Sequence, residues 1–133
     1  MQSLENIMLI TDLDGTLLPS SKEISAADAA AISQFRAKGG KFAIATGRTL
    51  QAAQRYLNKL KPNIPVILFN GAAIYDPVTE KWLYTEKLPA DAVAVTRQVL
   101  DAFPDVSAEI LRTDGTYVAR MTPYEKEHLE ICQ

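Results

Sequence analysis

An apolar run that ends in two carboxylates one residue apart constrains this chain more than any other feature: Ile7-Met8-Leu9-Ile10-Thr11-Asp12-Leu13-Asp14-Gly15-Thr16-Leu17-Leu18. A short apolar run closed by a glycine turn reads as a buried strand. A carboxylate at the end of such a strand faces solvent from a rigid support, so Asp12 is placed to attack phosphorus and form an aspartyl-phosphate. Asp14, two positions on, suits an acid and base. Gly15 permits a tight backbone turn, and Thr16 offers a hydroxyl and a backbone N–H to a phosphate. A calcium loop starting at Asp12 is excluded, because it would want an acid or amide at Thr16 and glycine at Leu17.

The pattern that follows alternates helices and strands. Ser25 with Asp28 forms a capping-box variant, Ala31, Ile32 and Phe35 supply an apolar stripe, and Gly39-Gly40 ends the helix. Phe42-Ala43-Ile44-Ala45 is the second strand. Thr49 caps a helix carrying Leu50, Ala53, Leu57 and Leu60, which Pro62 and Pro65 close off before the strand Val66-Ile67-Leu68-Phe69. Strands apolar on both faces and joined by helices predict an α/β fold with a parallel sheet built from these first three strands.

In an open parallel sheet the ligand site lies beyond the C-terminal ends of the strands. Each of the three runs finishes there in polar residues: Asp12 with Asp14, Thr46 with Gly47, and Asn70 with Gly71. Taken singly, each of the last two has an ordinary reading. Asn70-Gly71 suits a turn, and Thr46 a strand-end hydroxyl bonded to backbone. Arg48 has two readings as well, reaching a phosphate or covering a helix end with its charge in water.

From residue 73 the texture changes. Ala73-Ile74-Tyr75 and Lys81-Trp82-Leu83-Tyr84 flank a turn-rich segment and predict a hairpin. A helix over 90–103 follows, with Val93, Val99, Leu100 and Phe103 as its packing residues. Short strands at 107–111 and 116–119 surround the turn Thr113-Asp114-Gly115, and 124–131 predict a last helix.

Asp12-Leu13-Asp14-Gly15-Thr16-Leu17 resembles the first motif of the haloacid dehalogenase superfamily. Ala43-Ile44-Ala45-Thr46-Gly47-Arg48 and Phe69-Asn70-Gly71-Ala72 are similar to the second motif and third strand end of its Cof-like sugar-phosphatase branch. The resemblance implies a Rossmann-like core over 1–72, followed by the start of an α+β cap domain over 73–133. It further implies a phosphatase that takes small phosphorylated metabolites, sugar phosphates especially. Asp12 would be nucleophile and Asp14 acid and base; Thr16, Thr46, Gly47, Arg48, Asn70 and Gly71 would line the phosphate site. Mg2+ would be held with the help of Asp12 and Asp14. The family's later motifs, a lysine and an acidic pair, have no match here, and Lys126, Glu127 and Glu130 read as a solvated helix face. Two expectations follow: a piece of a longer phosphatase, or a short non-catalytic phosphate-binding module whose open sheet edges favour homo-oligomers.

Composition excludes other classes. The 133 residues carry a formal charge of −2 without runs of like charge, so no nucleic-acid partner is expected. The apolar run at 7–10 is too short to cross a bilayer and has no basic leader, so neither an anchor nor a signal peptide is expected, and the cytoplasm is the default location. Cys132, the single cysteine, has no internal partner and is given no role.

Overall fold

The computed structural model describes residues 3–132, apart from the side chains of Ile131 and Cys132. The class is α/β. β1 (Met8–Thr11), α1 (Ala26–Ala37), β2 (Lys41–Ile44), α2 (Leu50–Leu60) and β3 (Val66–Leu68) come first. A 3-10 turn (Phe69–Gly71) leads into β4 (Ala73–Asp76) and β5 (Lys81–Thr85). Then follow α3 (Ala92–Ala102), β6 (Ala108–Arg112), β7 (Gly115–Arg120) and α4 (Pro123–Cys132). Packing divides the chain into two compact units, Met1–Glu86 and Lys87–Gln133. The first unit therefore keeps the β4–β5 hairpin together with β3. No helix among the described residues is long and apolar enough to cross a membrane.

Both helices of the first unit start where a side chain satisfies an orphan N–H. The Ser25 hydroxyl oxygen accepts from Asp28 N at 3.0 Å, and the Thr49 hydroxyl oxygen accepts from Ala52 N at 3.2 Å. α2 then turns Ala53, Tyr56, Leu57 and Leu60 inward at three- and four-residue spacing, and all four are buried. It ends at Lys61 in the left-handed region, with Pro62 next. Leu13, Leu18, Phe42, Ile44, Val66 and Leu68 are the largest fully buried side chains, so the core lies where β2, β3 and the turn after β1 meet α2.

β1 and β2 pair in parallel from Met8 opposite Lys41 to Thr11 opposite Ile44. The third strand departs from the expected continuous three-stranded ladder. β3 joins β2 only through a parallel bridge between Ala45 and Ile67, and its regular pairing is antiparallel, with β4. The reason is local. The Asn63 side chain takes the place of a strand at the start of β2, accepting from Phe42 N at 2.7 Å and donating to Gly40 O at 3.1 Å. Pro65 has no N–H to add to a ladder. In the β4–β5 hairpin the Asp76 carboxylate accepts from Val78 N at 2.9 Å and from the Thr79 hydroxyl at 2.7 Å, an Asx turn that reverses the chain.

The expectation that β1 is buried on both faces is corrected. Ile7, Met8, Leu9 and Ile10 are 49%, 57%, 42% and 46% exposed. Among the described residues β1 has one neighbouring strand, β2, and an edge strand with uncovered faces stays in contact with water however apolar it is.

The second unit is a β6–β7 hairpin with α3 and α4. Of the four packing residues expected on α3, Leu100 is buried, whereas Val93, Val99 and Phe103 are exposed. Lys126, Glu127 and Glu130 lie in water as expected, but Glu125, their neighbour on α4, is buried. Burial pushes the Glu109 carboxyl on β6 above the usual glutamate range, and a hydrogen bond with Glu125 and that residue's charge push it further.

A carboxyl raised in the folded state adds stability when protonated, and that contribution is lost as pH rises through the raised value. The unfolding midpoint of the wild-type chain should therefore fall, relative to Glu109→Gln, as pH rises above the ordinary glutamate range. Parallel pH curves for the two proteins in circular dichroism melts would remove Glu109 from the account.

Candidate active site

The site starts at the turn after β1. Thr11 pairs with Ile44, and Ala45 N donates to Thr11 O at 2.9 Å, so Asp12 leaves its strand level with the end of β2. Leu13 is fully buried, and its carbonyl accepts from Thr16 N at 3.3 Å and Leu18 N at 2.8 Å. Gly15, at φ +77°, takes the left-handed corner that a side chain would strain. The Thr16 N–H, which the sequence offers to a phosphate, is used by this turn; the residue itself is exposed. Asp12 and Asp14 are both exposed on either side of Leu13.

At the end of β2 the chain turns into α2 through Thr46, Gly47, Arg48 and Thr49. Thr46 is 5% exposed; its N–H donates to Ile67 O at 3.0 Å and its hydroxyl oxygen accepts from Arg48 N at 3.2 Å. Accepting that bond leaves the hydroxyl its own hydrogen to donate. The end of β3 is stitched to the same turn: Phe69 N donates to Arg48 O and Asn70 N to Thr46 O, each at 3.2 Å. Phe69, Asn70 and Gly71 stand at φ +53°, +55° and +97° in succession. That coil brings the Asn70 amide over Gly47, where an added Cβ would lie 2.7 Å from the Asn70 Oδ1. Gly71 is exposed and opens on free space.

Arg48 ties the two turns together. Its Nη2 donates to Asp14 Oδ1 at 2.8 Å and its Nε to Asp14 Oδ2 at 2.7 Å, a two-pronged fork on one carboxylate. Its Nη1 also reaches Ala52 O in the first turn of α2 at 3.4 Å. Lys22 Nζ donates to the same Asp14 Oδ1 at 2.9 Å. The Arg48 guanidinium, helped by Lys22, holds the Asp14 carboxyl far below the usual carboxylate range against the opposing effect of burial. The Asp12 carboxylate, by contrast, has no hydrogen-bond or ion-pair partner among the described residues. The structure thus bonds Asp14, Thr46, Arg48 and Asn70 into one network, with Gly47 against the Asn70 amide and Asp12 beside it.

Two members of this network carry no sequence signal of function. Lys22 lies eight residues past Asp14 and reaches it only because the loop folds back. Tyr56 falls on the apolar stripe of α2, yet its ring lies 5.2 Å below the Arg48 guanidinium and its hydroxyl donates to Lys22 O at 3.1 Å.

No group of three or more His, Cys, Asp or Glu side chains able to hold a metal ion occurs among the described residues. The oxygens at hand fit part of a hard-cation shell. Among the described residues the Asp12 carboxylate has no side-chain partner, and the Asp14 backbone carbonyl accepts no backbone hydrogen bond in its turn. The Asp14 carboxylate, gripped by two cations, does not fit as a direct ligand in this arrangement.

Residues 9–131 match the model of the haloacid dehalogenase-like hydrolases, and the chain belongs to that family. It is 30% identical over 125 residues to the 5-amino-6-(5-phospho-D-ribitylamino)uracil phosphatase YitU of Bacillus subtilis, covering 92% of this chain and 44% of the relative. A haloacid dehalogenase-like hydrolase from Bacteroides thetaiotaomicron superposes with a TM-score of 0.81 at 22% identity, covering 95% of this chain and 48% of that one. The subclass IIB sugar phosphatase BT4131 superposes with a TM-score of 0.76 at 23% identity, covering 95% and 49%. The chain spans about half the length of these proteins.

The contact between Gly47 and Asn70 yields a prediction. Gly47→Ala should destabilise the protein by about 1–2 kcal/mol, because the new methyl group displaces the Asn70 amide. In an Asn70→Ala background the same substitution should cost about 0.5 kcal/mol or less. Thermal melts of the four proteins measure this, and additive effects would show that the two residues do not press on one another.

Proposed function

We propose that the whole protein is a magnesium-dependent phosphatase that hydrolyses small phosphorylated metabolites through an aspartyl-phosphate on Asp12. An Asp12 oxygen attacks phosphorus while the bond from phosphorus to the leaving oxygen breaks; Asp14, which Arg48 and Lys22 hold ionised in the free protein, gives that oxygen a proton only after taking one up itself. Asp14 then takes a proton from the water that attacks the acyl phosphate, releasing inorganic phosphate and restoring Asp12. The Thr46 hydroxyl donates to a phosphoryl oxygen, with the Gly47 backbone and Asn70 alongside it. Thr16 and Gly71 stand at the exposed rim, and Arg48 adds positive charge. Magnesium, when bound at the Asp12 carboxylate and the Asp14 carbonyl, neutralises the phosphate charge that would repel a carboxylate nucleophile.

The observation that supports this most is the contrast between the two carboxylates. Asp12 is exposed and has no side-chain partner among the described residues, which leaves its oxygens open to a phosphate; Asp14 is steered by a fork from the neighbouring strand end. Sugar phosphates are the favoured substrates, in keeping with a relative named for a phosphoribityl compound and a structural neighbour named a sugar phosphatase. The cytoplasm is the proposed location.

In the full-length protein Asp12→Asn should lower phosphomonoesterase turnover by about a thousandfold or more while the melting temperature stays near that of wild type, since the amide is nearly isosteric but a poor nucleophile. Excess chelator should abolish wild-type turnover and magnesium should restore it. Full turnover by Asp12→Asn would remove the covalent intermediate from the mechanism.

A further inference from the structure

The coil after β3 keeps a conformation that its own residues do not favour. Phe69 and Asn70 stand at φ +53° and +55°, ahead of Gly71 at +97°, and a phenylalanine in the left-handed region persists only where its surroundings hold it. Two contacts do so. The Phe69 N–H donates to Arg48 O at 3.2 Å, and the Phe69 ring packs on the indole of Trp82 in β5, with centroids 6.1 Å apart. Trp82 is fixed in turn by Tyr75 of β4, which stands opposite it in the hairpin and whose buried ring lies 5.0 Å away.

Packing alone does not require the strain. The largest fully buried side chains, Leu13, Leu18, Phe42, Ile44, Val66 and Leu68, all keep ordinary backbone, whereas Phe69 and Trp82 are only partly buried. What the turn achieves lies one residue on. It lets Asn70 N reach Thr46 O and sets the Asn70 amide against Gly47, at the 2.7 Å approach described above. Asn70 is exposed, so a ligand beside buried Thr46 can meet that amide. A row of three rings thus runs from the hairpin to the residue that precedes Asn70. A donor already held in place needs no reorganisation when negative charge arrives.

We propose that Trp82 is a positioning residue: by packing on Phe69 it fixes the coil that aims the Asn70 amide at a phosphoryl oxygen bound at the Thr46–Gly47 turn. The proposal rests on the reading of Asn70 as a phosphate contact given above.

The test uses the full-length protein, with p-nitrophenyl phosphate as substrate and inorganic phosphate as competing inhibitor. Asn70→Ala should lower kcat/KM about fivefold, the worth of one neutral hydrogen bond, and weaken phosphate inhibition by a similar factor. Trp82→Leu should lower both about threefold, and Trp82→Phe, which keeps a ring against Phe69, should restore most of the loss. The double variant separates position from stability. In an Asn70→Ala background Trp82→Leu should cost nothing further in kcat/KM or phosphate inhibition, although it lowers the melting temperature equally in both backgrounds. Phe69→Leu, which removes the ring on the other side of the contact, should behave the same way. Losses in kcat/KM that multiply in the double variant would overturn the proposal, since Trp82 would then act through general stability. If Asn70→Ala weakens phosphate inhibition while Trp82→Leu and Phe69→Leu leave it intact, the role of Trp82 falls and that of Asn70 stands. If Asn70→Ala leaves inhibition at the wild-type value, the Asn70 contact falls and Trp82 with it. The phosphatase reading fails by a different sign, the absence of magnesium-dependent turnover in the wild-type protein, and would take the proposal with it.

Discussion

The fork from Arg48 to Asp14 is the interaction on which the candidate site depends. It joins the turn after β1 to the turn after β2, two segments that share a strand register but no covalent proximity. Its strength is not mainly thermodynamic. The Arg48 side chain is 14% exposed and that of Asp14 38%, so water screens part of the attraction, and an exposed pair of this kind contributes about 0–1 kcal/mol. What two parallel hydrogen bonds add is direction: a planar guanidinium meeting a planar carboxylate leaves one orientation for each. Lysine in place of Arg48 would keep the charge and lose the plane.

That fork can form because the backbone beneath it is already specified. The Thr46 turn is closed by its own hydroxyl, capped into α2 by Thr49, and bonded to the coil after β3 through Phe69 N and Asn70 N. Few of these bonds belong to a regular ladder. The parallel sheet is short, and the ends of its strands are held by turn and cap bonds, which explains how a strand of three residues and an Ala45–Ile67 bridge suffice to align a third strand end with the first two.

The parts of this arrangement legible in the sequence are those written in local signals. Asp12, Asp14, Thr46, Gly47, Asn70 and Gly71 stand where apolar runs stop, and Ser25 and Thr49 stand three residues before the N–H groups they cap. The rest depends on contacts across the chain. Nothing near Lys22 announces that its ammonium meets Asp14, and Tyr56 lies at a spacing that fits core packing equally well. The exposure of β1 depends on such contacts too. The apolar run at 7–10 is the pattern of a strand with neighbours on both edges and layers on both faces, whereas the described residues supply one edge. Glu125 is buried while its neighbours Lys126, Glu127 and Glu130 are solvated, and sequence alone does not say which side of α4 turns inward.

The spacing of the two aspartates has its own physical reason. In the turn that follows β1, the residue between the two acids is the one carried into the core. Here that residue is Leu13, wholly buried, with a carbonyl that takes two N–H bonds of the turn. It anchors the strand end in the core and so fixes both acids at once: Asp12 without a partner and Asp14 within reach of Arg48 and Lys22. A spacing of one would put the second acid at the buried position of Leu13, and a spacing of three would put it at the left-handed corner of Gly15. The buried leucine is thus as much a part of the site as the carboxylates it separates.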